Sequence, residues 1–147
     1  MTEASAVIAA PADRVFAVVT DIASLPEWNR GIRRVVEAPP ELAEGAEWVV
    51  VVHAMGQSWP SRSRVVEFDR DRKVFAYRSQ SDDGNPSFAN WRWQVEEVAE
   101  GSRVTVTWEL NPRTFWRRVL LVRLRRPGLA REVAASLVAL RDRAAQT

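Results

Sequence analysis

The feature that most constrains this chain is a pair of stretches, FANWRWQVEEV (88–98) and RVTVTWEL (103–110), flanking AEGS. Both alternate large apolar and polar side chains with the period of two that a half-buried strand requires. A two-residue hairpin loop at Glu100-Gly101 sets Val95 opposite Val106, Trp93 opposite Trp108 and Trp91 opposite Leu110. These six side chains then share one face, and Arg92, Gln94, Glu96, Arg103, Thr105 and Thr107 share the other. A one-residue slip would mix the two sets, so the pattern specifies a sheet with one covered and one wet face.

The rest of the chain is built around that sheet. ASAVIAA (4–10) reads as a short apolar strand. Pro11 suits a first helical position, Asp13 complements the helix dipole, and Val15, Phe16 and Val19 recur at helical spacing up to about Thr20. Asp21 caps a second short turn, Ile22 to Leu25, which Pro26 ends because the residue before proline avoids the helical region. Trp28 therefore falls in a turn, an unusual place for so large an apolar side chain. IRRVVEA, EWVVVVHAM, SRSRVVEF and VFAYRSQ read as further strands, the last two around the turn DRDRK. The closing segment has Trp116, Leu120 and Leu124 at four-residue spacing, then Leu129, Val133, Leu137 and Leu140 as one stripe. It reads as one long helix kinked at Pro127 or two helices with a break there, beginning near Arg113 and covering the sheet.

Composition limits the function classes. The 147 residues are expected to form a single domain, and at that length a fold buries roughly 68–70% of its unfolded surface. No run of apolar residues is long enough for a membrane span, and the N-terminus lacks the basic-then-apolar order of a secretory signal. There are no cysteines and one histidine, so no metal site is expected, and no glycine-rich phosphate loop or dinucleotide fingerprint indicates a cofactor. A cytoplasmic protein is expected. Residues 113–147 carry nine arginines against Glu132 and Asp142, while the remainder is net acidic. A basic helix packing on an acidic remainder explains this asymmetry, and no base-reading motif accompanies the arginines, so a nucleic-acid partner is not expected.

The opening VIAAPADRVFAVVTDIASLPEWNRGI resembles the START-like superfamily, which includes the polyketide cyclase/dehydrase (SRPBCC) and Bet v 1-like proteins. The resemblance rests on Ala10, Pro11, Val15, Phe16, Asp21, Leu25, Pro26 and Trp28, and LAREVAASLVALRDRA is similar to the family's closing helix. It covers nearly the whole chain. It implies an α+β helix-grip fold over residues 1–147: a seven-stranded curved antiparallel sheet, two short helices, and a long C-terminal helix over a cavity. The family spans cyclases, dehydratases, lipid carriers and receptors, so function has to be argued from the site.

In such a fold Trp28 is expected near the cavity rim, and Trp91, Trp93, Trp108, Trp116 and Leu120 on its walls, as ligand-binding residues. The same rings also serve as plain core filler. Candidates for chemistry are few. His53 is the only histidine, on a strand whose two faces both look apolar, and a lone histidine is more often structural than a general base. Tyr77 alternates with Phe75 and Ser79, although a slipped DRDRK turn would exchange it with Arg78. Arg62 and Arg64 share a strand face with Pro60 and Val66: outward they are solvated, and inward one would lie in the cavity and could polarise a carbonyl. The first reading is therefore a binding protein for a hydrophobic or aromatic small molecule, as monomer or homodimer. The second is an enzyme, a polyketide cyclase or dehydratase using one or two cavity polar groups. The third is lipid or membrane-surface binding through the basic FWRRVLLVRLRRP; membrane contact is not expected, and whether its apolar stripe is buried in the domain decides it.

Overall fold

In the computed structural model, which describes residues 2–54, 56–81, 87–111 and 122–145, the hairpin forms with the faces read from sequence but with different partners. Strands β6 (Phe88–Val98) and β7 (Gly101–Asn111) turn at Ala99-Glu100, and Val98 pairs with Gly101. Trp93 lies opposite Val106 and Trp91 opposite Trp108, two residues from the expected register. A shift of two leaves every side chain on its face. The expected register placed Gly101 in the loop. The structure instead uses it at the strand start with φ +134°, where a Cβ would collide with the Ile8 carbonyl oxygen. Glycine is required there by a close backbone approach.

Five more strands complete the sheet: β1 (Thr2–Ile8), β2 (Ile32–Glu37), β3 (Glu47–Ala54), β4 (Gln57–Asp69) and β5 (Val74–Ser81). All neighbours are antiparallel, in the order β1-β7-β6-β5-β4-β3-β2. A bulge at Val66 interrupts the β4–β5 register, so Val65 faces Tyr77 while Glu67 faces Ala76. Val65 is buried and Val66 exposed, and the extra residue lets Phe68 return to the covered side against Phe16 and Phe75.

The helices are α1 (Ala12–Val19), α2 (Leu25–Trp28) and α3 (Val122–Ala145), with a 3-10 turn at Ile22–Ser24. Pro11 is the residue before α1, one position earlier than expected. Asp21 precedes the 3-10 turn, but its side chain makes no capping hydrogen bond; the hydroxyl and backbone N–H of Ser24 both donate to the Asp21 carbonyl instead. Pro26 does not end a helix. It sits in the first turn of α2, where a missing N–H leaves no bond unmade, so Trp28 is helical and not in a turn. Helix α3 passes through Pro127 without a break, which removes the two-helix alternative. The expected start near Arg113 lies outside the described residues.

The core joins α1, α2 and α3 to the covered sheet face. Leu129, Val133, Leu137 and Leu140 of α3 are all buried, as their stripe requires, together with Val15, Val19, Val104 and Val106. Arg143 of α3 pairs with Glu27 of α2 at 2.8 Å, and the Arg30 N–H donates to Ser136 Oγ at 2.9 Å. These contacts seat the C-terminal part of α3 on the α2 end. Among the described residues no helix is long and apolar enough to cross a membrane.

Candidate functional site

Between the covered sheet face and α3 lies a pocket of about 280 Å³. Strand β3 contributes Trp48 and Val50, and β6 contributes Trp91 and Trp93. Leu129, Glu132, Val133 and Ser136 come from α3, and Asn29 and Gly31 from the α2–β2 connection. The aromatic wall is continuous. Trp48 meets Tyr77 edge-on at 4.9 Å, Tyr77 stacks on Trp91 at 6.4 Å, and Trp91 stacks on Trp108 at 5.7 Å. Such contacts add to area burial and hold the rings in fixed orientations.

Of the tryptophans expected on the walls, the structure brings Trp91 and Trp93 to the pocket. Trp108 stacks on Trp91 from the neighbouring strand and Trp28 packs against Trp93, and neither lines the pocket. Trp28 is 1% exposed and meets Trp93 at 5.5 Å with perpendicular rings, so it props the wall and is neither on it nor at a rim. Its indole N–H is buried without a partner among the described residues. Trp116 and Leu120 lie outside the described residues. Trp48 and Trp59 line the pocket and were absent from the expected set.

Tyr77 points into the pocket, and the Trp93 Nε1–H donates to its Oη at 3.4 Å. Burial pushes the Tyr77 hydroxyl up to about 12 from 10.0, and the Trp93 bond, which favours the phenolate, pulls the other way. The phenol is therefore neutral at ordinary pH. A neutral phenol keeps its proton available to donate while its oxygen accepts from Trp93. His53 is not on the pocket wall; its Nδ1 lies 2.8 Å from Ser58 Oγ in an exposed position. Arg62 is also off the pocket, paired with Glu37 at 3.7 Å and Glu47 at 3.3 Å. Arg64 pairs across the strands with Arg78 on the same outer side.

The polar part of the lining is the main element that the sequence reading missed. Ser61, Ser63, Ser79 and Ser81 all line the pocket. A signal existed: in SRSRV and YRSQS, outward arginines oblige the alternating Ser61, Ser63, Tyr77 and Ser79 to point inward. Among the described residues, no group of three His, Cys, Asp or Glu side chains is arranged to hold a metal ion.

The family model for polyketide cyclase / dehydrase and lipid transport matches residues 2–145, and the chain belongs to that family. No curated protein matches it significantly. Among solved structures it is similar to a protein from Thermus thermophilus, with 21% identity and a TM-score of 0.76 over 97% of this chain and 95% of that one. It is similar to the Zhui aromatase/cyclase from Streptomyces sp. R1128, with 20% identity and a TM-score of 0.77 over 97% and 92%. A third, Ara h 8.0201, shares 13% identity and a TM-score of 0.75 over 99% and 97%. At these identities the likeness shows the fold, which is the helix-grip fold.

Proposed function

We propose that this protein binds a flat apolar or aromatic small molecule between its sheet and α3. The observation that carries the reading is the pocket itself. Its rings are braced by contact with Trp28 and Trp108, which do not themselves line the pocket, so the apolar wall is held without their filling it. A volume of about 280 Å³ is just below the roughly 300–1,000 Å³ usual for small-molecule sites. Membership of a polyketide cyclase / dehydrase and lipid transport family supports the same class of partner.

One observation favours a second reading, catalysis of the cyclase or dehydratase kind. Tyr77 is a neutral phenol inside the pocket, and a phenol O–H polarises a carbonyl held against it. The stretch behind the membrane-surface reading lies mostly outside the described residues, and no observation here favours it.

The test is tryptophan fluorescence titrated with flat aromatic and polyketide-like compounds, in the native protein and in Trp93→Ala. Saturable quenching that the substitution weakens supports binding at this wall. No response to any compound leaves the tryptophans as core packing.

A further inference from the structure

The inner face of the β4–β5 hairpin carries hydroxyls on successive rungs. Ser61 lies opposite Ser81, Ser63 opposite Ser79, and Val65 opposite Tyr77. Ser61 and Ser63 are only 6% and 3% exposed, yet both line the pocket. Ser81 Oγ is buried with no hydrogen-bond partner among the described residues. Buried hydroxyls normally find one, so an unpaired one facing a pocket calls for an explanation.

Tyr77 gives this polar strip a direction. A phenol has one proton to donate and two lone pairs to accept with. Trp93 donates to one lone pair and leaves the proton unspent, with no acceptor for it among the described residues. The flanking rungs are apolar: on β3, Trp48 lies opposite Ser63 and Val50 opposite Ser61; on β6, Trp91 lies opposite Tyr77 and Ala89 opposite Ser79. The floor is thus a band of hydroxyls between two hydrophobic margins, with Leu129 and Val133 contributed by α3.

We infer that Tyr77 donates a hydrogen bond to an oxygen of the ligand, which lies with one oxygenated edge along the serine rungs and its apolar body against the tryptophans and α3. The inference rests on the binding reading above and adds the ligand's chemistry: a neutral flat molecule carrying carbonyl, ether or hydroxyl oxygen along one edge. Serine hydroxyls rotate and serve any of these as donor or acceptor. A pure hydrocarbon of the same shape is disfavoured, because it leaves the buried hydroxyls unpaired.

The experiment compares 2-acetylnaphthalene with 2-isopropenylnaphthalene, which have the same heavy-atom skeleton and differ by an acceptor oxygen in place of a methylene, using equilibrium dialysis. The native protein is expected to hold the ketone about 3- to 10-fold more tightly, the worth of one ordinary hydrogen bond. Tyr77→Phe and Ser63→Ala should each weaken the ketone and leave the hydrocarbon unchanged or bound more tightly. Those opposed changes separate a lost hydrogen bond from damage to the fold, which weakens both probes. Equal binding of the two probes by the native protein, or parallel changes in Tyr77→Phe, overturns the inference and leaves small-molecule binding standing. Absence of binding by either probe removes the binding reading and this inference with it.

Discussion

The indole N–H of Trp93 on β6 donates to the phenol oxygen of Tyr77 on β5 at 3.4 Å, diagonally across the pocket wall. The bond is long for its type, so it orients the phenol more than it stabilises the charged form. Burial therefore dominates the titration.

Tyr77 is the only tyrosine, so its ionisation is directly readable from tyrosinate absorbance. The midpoint is expected near 12 in the folded protein and near 10 in denaturant. The folded pKa is the higher of the two, so this group's contribution to stability is complete below pH 10 and is lost as pH rises through 12. Tyr77→Phe should flatten the fall in stability over that window. A folded-state midpoint near 10 would mean that the phenol is solvated.

Trp28 and Trp93 test the layering of the wall. Trp28→Ala should cost about 3–5 kcal/mol in urea unfolding, because it empties a buried site and unseats Trp93. Trp28→Phe should cost markedly less, since the indole N–H it removes has no partner among the described residues. Equal costs would show that this N–H is satisfied in solution.

Gly101 and Gly56 both have positive φ, but only Gly101 is crowded. Gly101→Ala should lose about 2–4 kcal/mol through collision with the β1 backbone, and Gly56→Ala, which meets nothing within 4 Å, about 1 kcal/mol. Denaturant midpoints decide it. Similar losses at both sites would remove the packing role given to Gly101.

These residues also show what the sequence made legible. Period-two alternation identifies the faces of β6 and β7, because a face survives any even shift in register. It does not identify partners: the turn at Ala99-Glu100 and the one at Glu100-Gly101 satisfy the same pattern, and the deciding contact, Ile8 against Gly101, is long-range. Pro26 reads as a stop because proline restricts its predecessor, whereas the first turn of a helix accepts it. Alternation also says nothing about depth. Trp91 and Trp108 lie opposite each other on one covered face, but one lines the pocket and the other stacks beside it, off the lining. The serine rungs are easily passed over because the arginines between them carry the more conspicuous chemistry.

The central claim is that a ligand occupies the space between the sheet and α3. The most direct measurement is a heteronuclear NMR titration with 2-acetylnaphthalene, following indole N–H and valine methyl resonances together. The account predicts that Trp91, Trp93, Val50 and Val133, which come from β6, β3 and α3, shift along one saturable curve. It also predicts that exposed Val7 and Val66 stay still. Shifts confined to the outer face, or none at saturating probe, would contradict it.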